Sequence, residues 1–262
     1  MFANERQDKI YDMIQNNGAV TAAKLVDFFG VSIETIRRDL LAMEQNGRLT
    51  RVHGGAVAKS AMKPYKELKQ RNKEFGKQKY ELSLKAAAFI SDGDIVGIDS
   101  GSTAISFAEV LKERFSKLTV VTHSMDVFEI LSDHKDFSVI LCGGHYLREE
   151  NAFYGELTLD MLNRLHIQKA FIFPSAVSLE YGIFDFQNEL YQIQKQLLKS
   201  SDEIYILADS SKFEKTGLLK LNTMNPEYIY VTDCSLRDEI VKLYKENDIK
   251  IYLGEQEKRE LY

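Results

Sequence analysis

The sequence predicts an α/β protein with an N-terminal all-α winged helix-turn-helix and a C-terminal doubly wound, largely parallel sheet. Within residues 1–58, three short helical patterns precede a two-strand pattern, as in winged helices. From there to residue 253, short β-branched runs alternate with helical segments. The charge also divides: residues 1–85 carry 16 Lys and Arg against 10 Asp and Glu, a net +6, whereas the remainder has a net charge of −11.

Composition excludes several classes of protein. Cys142 and Cys234 lie far apart with no CxxC spacing, so we expect no disulfide framework and no zinc site. We also expect no other metal and no cofactor. Charged residues interrupt the N-terminus, and no apolar run reaches the ~18 residues of a membrane span. We therefore expect a cytoplasmic protein without a membrane partner. The basic segment favours a polyanion partner, although charge alone leaves a chance asymmetry of a solvated surface equally open.

The winged helix-turn-helix is predicted from its capping signals. Residues 4–16 place apolar side chains at helical spacing. Thr21 and Ser32 are good N-caps for the second and third helices, each of which ends before a glycine. Residues 48–57 alternate as two short strands around a Gly-Gly turn, which predicts the wing.

The third helix should read DNA through its outer face. Ile36, Leu40 and Met43 share the inner face, and Arg38 points about 200° from Ile36 at about 100° per residue. An arginine near the start of such a helix can bind guanine O6 and N7 or a phosphate, and Glu34 can accept from cytosine N4 or orient an arginine. A dimerisation module with surface arginines is the alternative. The predicted DNA interface comprises Ser32, Glu34, Thr35, Arg37 and Arg38 on the helix, with Arg48, Arg51 and His53 on the wing.

Seven apolar runs predict the strands of the C-terminal sheet. Because helical segments lie between most of them, the sheet should be largely parallel with helices on both faces. The predicted strands are 95–99, 119–123, 137–142, 170–174, 204–208, 228–232 and 249–253. The predicted helices are 102–114, 125–133, 187–200 and 235–246.

Polar loops after these strands predict an anion site. Residues 100–103 (SGST) open a helix whose dipole favours an anion, and Gly101 permits a close backbone approach. In a parallel sheet the loops after other strands gather at the same edge. Lys212 could neutralise a phosphate there, while Asp99 and Asp209 could accept sugar hydroxyls; a polar cap and a solvated lysine are the alternatives. The predicted site comprises Asp99, Ser100, Gly101, Ser102, Thr103, His123, Ser124, Gly143, Gly144, Asp209 and Lys212.

Two sets of motifs carry a family resemblance. The N-terminal set is VS at 31–32, TIRRDL at 35–40, Glu44, Gly47, Leu49, Arg51 and HGGA at 53–56. The C-terminal set is DSGST at 99–103, Gly143-Gly144, Gly155, Gly182, Glu189 and ADSSKF at 208–213. In these motifs the chain resembles the DeoR family of bacterial transcription regulators from about residue 4 to residue 253. The resemblance implies operator binding, usually as a repressor of sugar or polyol catabolism genes. It also implies a sensor domain similar in fold to ribose-5-phosphate isomerase that binds phosphorylated sugars or related metabolites.

The chain departs from the family pattern at two points. His123 stands where the family usually has Asn between Thr and Ser, and residues 171–182 replace a glycine-bearing loop. The isomerase relatives have catalytic carboxylates in that region, whereas residues 175–178 supply none. Both changes alter the predicted pocket. His123 could donate to a ligand, titrate near neutral pH or simply line the wall.

The leading interpretation is a homo-oligomer, a dimer or tetramer, that binds double-stranded operator DNA and responds to a phosphorylated sugar. Its predicted parts are a winged helix-turn-helix at 1–58, a basic linker at 59–75 and an effector and oligomerisation domain at 76–262. One alternative is a phosphosugar isomerase, which needs a general base from Asp99, Asp185, Glu189 or Asp209. Another is a regulator whose C-terminal domain is only an oligomerisation scaffold.

Overall fold

The N-terminal domain is a three-helix unit closed by a small antiparallel sheet. The computed structural model describes residues 2–17, 19–52, 54–58, 61–62 and 67–255. The elements of the domain are α1 (Ala3–Asn17), β1 (Ala19–Thr21), α2 (Ala22–Phe29), α3 (Ile33–Gln45), β2 (Leu49–Val52) and β3 (Gly55–Ala58). The strand order is β1-β3-β2, so β1, which the sequence did not indicate, pairs with the returning strand of the wing. The predicted winged helix-turn-helix is confirmed.

The predicted caps form and place the apolar faces inward. The Thr21 hydroxyl accepts a hydrogen bond from the Lys24 amide at 3.2 Å, and the Ser32 hydroxyl accepts one from the Thr35 amide at 3.2 Å. Each cap satisfies a backbone N–H that the first helical turn leaves unpaired. The buried core of the domain is formed by Ile10, Ile14, Val20, Leu25, Ile36, Leu40, Met43, Leu49 and Ala56.

The segment that joins the domains is partly structured. It contains β4 (Ala61–Met62), α4 (Leu68–Arg71) and α5 (Gly76–Ala87). Strand β4 pairs in parallel with β14 (Lys215–Thr216) of the C-terminal domain. The stretch predicted as a basic linker therefore contributes a strand pairing and a short helix to the C-terminal domain, although its boundaries remain a prediction.

The C-terminal domain is built on a seven-stranded sheet. Its strands are β5 (Ile95–Ile98), β6 (Leu118–Thr122), β7 (Phe137–Leu141), β10 (Ile167–Ile172), β13 (Ser201–Leu207), β16 (Ile229–Thr232) and β17 (Ile251–Leu253). Their order is β17-β16-β13-β10-β5-β6-β7, and every neighbouring pair is parallel. All seven strands were predicted, and the doubly wound, parallel architecture is confirmed.

Helices cover both faces of this sheet. α5, α6 (Ser102–Arg114) and α7 (Met125–Leu131) pack on one face, and α8 (Glu156–Asn163), α9 (Asn188–Lys199) and α10 (Asp238–Glu246) pack on the other. The central strand β10 alternates between them: Phe171 packs towards α6, whereas Ala170 and Ile172 belong to the opposite core. A strand buried on both faces reads as a continuous apolar run, which is why the sequence identified it.

Short antiparallel strands follow β7, β10 and β13 in the chain, and the sequence did not predict them. They are β8 (His145–Leu147), β9 (Ala152–Tyr154), β11 (Ala176–Ser178), β12 (Gly182–Asp185) and β15 (Leu219–Asn222). β8 pairs with β9, and β12 lies between β11 and β15. A 3₁₀ turn at Ser210–Lys212 follows β13. Strands of three or four residues have too little periodicity to stand out in a sequence.

The winged helix rests against α10. Glu239 in the first turn of α10 pairs with Lys24, and this hydrogen bond lowers the pKa of the Glu239 carboxyl. A Cβ atom at Gly55 would lie 2.1 Å from the Val20 carbonyl oxygen and 3.1 Å from Leu243 Cδ2 of α10. Glycine therefore lets the wing approach both β1 and the C-terminal domain closely.

Glu214 accepts a hydrogen bond from α10, the helix that contacts the winged helix. Its Oε1 atom accepts hydrogen bonds from the Leu179 amide at 3.2 Å and from the Tyr244 hydroxyl of α10 at 2.7 Å. Burial raises the pKa of Glu214 to about 7. The folded chain therefore binds a proton here that the unfolded chain releases at lower pH.

We predict that removing the Arg6–Asp39 pair destabilises the N-terminal domain. Both residues are buried, and Arg6 Nε donates to Asp39 Oδ2 between α1 and α3. Asp39→Ala leaves a buried guanidinium unpaired and should cost about 3 kcal/mol of unfolding free energy. Urea denaturation of the full chain, followed by circular dichroism, measures the loss.

The control is Asp8→Ala, which removes the exposed partner of Arg48 and should cost less than about 1 kcal/mol. Equal losses for the two variants would contradict the structural role of the buried pair.

We also predict that Glu214→Gln flattens the pH dependence of stability. Because the folded-state pKa is raised, the wild-type free energy of unfolding should fall as pH rises from about 4.5 to about 7. The variant retains the Oε1 acceptor without the titration. Its stability relative to wild type should therefore rise by up to the order of 3 kcal/mol between pH 5 and pH 8. Urea midpoints across this range test it, with the exposed Glu227→Gln as control. Parallel curves for wild type and Glu214→Gln would refute it.

Candidate functional site

The loop after β5, which belongs to the predicted site, lies at the point where the strand order of the sheet reverses. From β5 the chain continues outward through β6 and β7, and then returns to β10 on the other side of β5. In open α/β sheets, ligands bind outside the carboxyl ends of the strands at such a switch point. The loops after β5 and β10 flank this crevice. The sequence placed the first of these loops in the predicted site, but not the second.

Asp99, at the end of β5, is the centre of a buried polar network. Its Oδ1 atom lies 3.1 Å from His123 Nε2. Its Oδ2 atom accepts hydrogen bonds from the Phe173 amide at 3.2 Å and from Gln194 Nε2 at 2.9 Å. Three of its roughly four acceptor sites are therefore occupied by protein. Its predicted contact with a sugar hydroxyl remains a prediction.

His123 is a buried part of this network. Its Nδ1 atom lies 2.8 Å from the Phe153 carbonyl oxygen, which can only accept, so Nδ1 is the donor. Its Nε2 atom lies 3.1 Å from Asp99 Oδ1, so the imidazole bridges Asp99 and Phe153. The departure from the family's Asn therefore places an imidazole against Asp99, where it joins the loop after β6 to β9.

The loop at 100–103 presents unpartnered hydroxyls. Ser100 and Thr103 are buried, and among the described residues neither Ser100 Oγ nor Thr103 Oγ1 has a hydrogen-bond partner. Gly101 precedes α6 with φ = 122° and supplies no side-chain cap. A buried hydroxyl without a partner costs about 1–3 kcal/mol, so these groups are suited to a polar ligand. The dipole of α6 favours an anion.

Three cations converge on this loop. The Lys212 ammonium donates to the Pro174 carbonyl oxygen at 2.8 Å. Burial lowers the pKa of Lys212, and Arg71 acts in the same direction, while Asp209, Asp185 and Asp99 oppose it. Arg71, at the end of α4, lies against the loop, because a Cβ at Gly101 would be 3.6 Å from its Nη1 atom.

Lys79 of α5 is the third cation. It donates to the carbonyl oxygens of Arg71 and Glu74, and thereby ties α5 to the end of α4. Burial, with repulsion from Lys212, lowers the pKa of Lys79 to about 8. A cavity of about 780 Å³ beside α5 and α6 is lined in part by Lys79 and Ser102.

Buried carboxylates balance these cations. Arg71 pairs with Glu150, which is fully buried in the turn between β8 and β9. Burial raises the pKa of Glu150 to about 8, with a further contribution from Asp185. Burial also raises the pKa of Asp185, which accepts hydrogen bonds from Ser175 Oγ at 2.9 Å and Gln194 Nε2 at 2.8 Å. Opposite charges are thus held together at low exposure.

Sequence reasoning missed Arg71, Lys79 and Glu150. The two cations belong to a lysine-rich stretch, and composition cannot separate the half-buried Arg71 and the buried Lys79 from their solvated neighbours. Glu150 lies beside the exposed Glu149 in a turn, and no sequence pattern predicts that one of the two is buried. The tertiary contact between α4 and the β8–β9 turn identifies Arg71 and Glu150, and the contact of α5 with the end of α4 identifies Lys79.

Other predicted residues have structural contacts. Ser124 is the N-cap of α7 and accepts from the Val127 amide at 3.3 Å. Asp209 caps the 3₁₀ turn and accepts from the Ser211 amide at 3.0 Å. The Gly143 carbonyl accepts from Thr158 Oγ1 at 3.1 Å, and Gly144 follows it into β8. Their roles in ligand binding remain predictions.

The predicted DNA-reading face of α3 is exposed. Glu34, Arg37 and Arg38 are exposed, whereas Ile36 and Leu40 are buried, as the helical wheel predicts. Glu34 and Arg37 form a loose exposed ion pair at 3.7 Å. Within the described residues, Arg38 has no ion-pair partner.

The predicted wing residues differ among themselves. Arg48 pairs with Asp8 at 2.8 Å and lies over the Tyr11 ring at 4.6 Å, so it is held against α1. The Arg51 amide donates to Glu44 Oε1 at 2.8 Å, while its side chain lies at the surface. His53 falls outside the described residues. Thr35 Oγ1 lies 3.0 Å from Ser32 Oγ and takes part in the cap.

Each helix in the part of the chain that the structure describes is too short or too polar to span a membrane.

Family models match a DeoR-like helix-turn-helix domain at residues 6–61 and a DeoR C-terminal sensor domain at residues 74–234. Among solved structures, ribose-5-phosphate isomerase A from Neisseria gonorrhoeae is 19% identical with a TM-score of 0.41, over 53% of each chain. Translation initiation factor eIF-2B from Pyrococcus horikoshii OT3 is 14% identical with a TM-score of 0.39, over 83% of this chain and 69% of that chain.

Curated relatives match nearly the whole chain. The HTH-type transcriptional regulator IolR of Bacillus subtilis is 31% identical, over 95% of this chain and 98% of that protein. The lactose phosphotransferase system repressor of Lactococcus lactis is 35% identical, over 82% and 85%. The L-fucose operon activator of Haemophilus influenzae is 30% identical, over 95% and 100%. From its helix-turn-helix through its sensor domain, the chain belongs to the DeoR family of transcriptional regulators.

Proposed function

We propose that the chain is a cytoplasmic regulator, acting as a repressor, of a sugar or polyol catabolic operon. It binds operator DNA through α3 and the wing, and a phosphorylated sugar at the switch point modulates that binding. The observation that carries the effector half is that the buried hydroxyls of Ser100 and Thr103, at the start of α6, have no hydrogen-bond partner among the described residues. Arg71 lies beside Gly101 of the same loop, and Lys212 is close enough to interact electrostatically with Arg71 and Asp99. Names of relatives refer to lactose and to L-fucose, which supports a sugar-related pathway.

The DNA-binding half is supported by the exposed face of α3. Arg37 and Arg38 project from a capped helix whose opposite side is core. A helix-turn-helix unit of this kind places its second helix in the major groove, and two half-sites lie one helical turn or multiples of it apart. We therefore propose a homo-oligomer, with at least two winged helices per operator.

The switch-point site is suited to binding rather than to turnover. An isomerase needs a carboxylate free to remove the sugar C2 proton. Of the four candidate bases, Asp99 and Asp185 accept several protein hydrogen bonds and Asp209 is occupied as a cap, whereas Glu189 lies in the first turn of α9. We propose that these carboxylates hold the loops and cations in place, and that the chain is a sensor without enzymatic activity. For the effector to modulate DNA binding, effector and DNA must favour different conformations of the chain.

We predict that Arg38→Ala weakens operator binding. An arginine that reads guanine contributes about 1–3 kcal/mol, so the dissociation constant should rise about 5- to 150-fold. Fluorescence anisotropy with a duplex from upstream of its own gene measures this. Arg164→Ala removes an equal charge from the exposed end of α8 and is the matched control. Unchanged affinity for Arg38→Ala would overturn the proposed interface.

We predict that a phosphosugar stabilises the wild-type chain and not Lys212→Met. A ligand at 100 times its dissociation constant adds about 2.7 kcal/mol of stability. A thermal-shift panel of pentose and hexose phosphates tests this, with the exposed Lys220→Met as control. A shift with no member of the panel would favour the scaffold alternative. Turnover of any member would favour the isomerase.

A further inference from the structure

We propose that Glu150 is an internal anion that competes with the effector phosphate for Arg71. Effector binding is then an exchange, in which the phosphate replaces the Glu150 carboxylate on the guanidinium. The inference rests on the proposed function, because it specifies how the same site recognises its effector. It adds an effector-contacting residue, Arg71, and a residue that sets affinity without touching the ligand, Glu150.

The position of the Arg71 guanidinium carries this proposal. On one side its Nη2 atom donates to Glu150 Oε2. On the other side, its Nη1 atom would lie 3.6 Å from a Cβ at Gly101, so it faces the loop at 100–103. That loop holds the buried hydroxyls of Ser100 and Thr103, which have no hydrogen-bond partner within the part of the chain that the structure describes. A phosphate bound by these hydroxyls would lie beside the same guanidinium that Glu150 now engages.

The Glu150 carboxylate is an internal substitute for a ligand anion. It is fully buried, and burial together with Asp185 disfavours its charge. Lys212 acts in the opposite direction. The Arg71 guanidinium, which donates directly to Glu150 Oε2, opposes this effect and keeps the carboxylate ionised despite its burial. A phosphate dianion carries more charge and can bind a guanidinium through two parallel hydrogen bonds, so it is the stronger partner.

The exchange explains why the site should select phosphorylated ligands. A neutral sugar has no charge with which to displace a carboxylate from an arginine, whereas a phosphomonoester has. The exchange also involves the segment that leads to the DNA-binding domain. Arg71 ends α4, and Lys79 holds the carbonyl oxygens of Arg71 and Glu74. Lys79 is therefore a positioning residue for Arg71.

Titration calorimetry on the full-length chain tests the proposal. The ligands are inorganic phosphate, the phosphosugar that gives the largest thermal shift, and the same sugar without phosphate. Glu150→Gln keeps the side-chain shape but removes the competing charge. We expect it to bind both phosphate-bearing ligands about tenfold more tightly than wild type, with no gain for the neutral sugar. Glu149→Gln, at the exposed neighbouring position, should match wild type.

Arg71→Gln tests the pair from its other side. It should bind the phosphate-bearing ligands at least about tenfold more weakly than wild type. In the double variant, Glu150→Gln should not raise the affinity above that of Arg71→Gln alone. The Arg71 guanidinium that Glu150→Gln would make available to the phosphate is absent there. An equal affinity of Glu150→Gln and wild type for a phosphosugar that wild type binds would overturn the exchange. So would a gain that persists in the Arg71→Gln background. If neither wild type nor Glu150→Gln binds any phosphate-bearing ligand, the proposed function fails as well.

Discussion

The buried carboxylate of Asp99 is the constraint on which the C-terminal site depends. It accepts hydrogen bonds from the Phe173 amide and from Gln194, and it faces His123. These donors belong to the loops after β10 and β6 and to α9, on both sides of the switch point. A buried charge without such partners costs several kcal/mol, so the edge of the sheet closes only in the arrangement that satisfies Asp99. The loop at 100–103 follows Asp99 directly in the chain, so these contacts hold the residue from which the loop starts.

A second consequence is a site with balanced charge. Arg71, Lys79 and Lys212 lie among Asp99, Glu150, Asp185 and Asp209, and burial shifts the pKa values of Lys79 and Glu150 towards neutrality. Such a cluster is costly to assemble and is sensitive to the arrival of another charge. An anion at α6 would redistribute the existing pairs instead of adding one. Because α4 and the strand at 61–62 lie in the chain between the winged helix and most of the cluster, we propose that this redistribution alters DNA binding.

The sequence predicted features whose cause is local or periodic. Thr21 and Ser32 cap helices because a short hydroxyl satisfies the first turn, and β10 is an apolar run because both of its faces are buried. The pairing of β1 with the wing and the roles of Arg71 and Glu150 depend on residues far apart in the chain. A contact between residues far apart in the chain leaves no periodic pattern in the sequence around either partner. His123 illustrates the limit: its departure from the family was visible, but its contact with Asp99 was not.

The central claim is that one site for a phosphorylated sugar is energetically coupled to DNA binding. The most direct measurement is the affinity of the full chain for the DNA upstream of its own gene, with and without a saturating phosphosugar. The account predicts a change of about 5- to 150-fold, and an equal change in phosphosugar affinity when the duplex is present, because coupling is reciprocal. An operator affinity that stays the same when the phosphosugar site is saturated would contradict it.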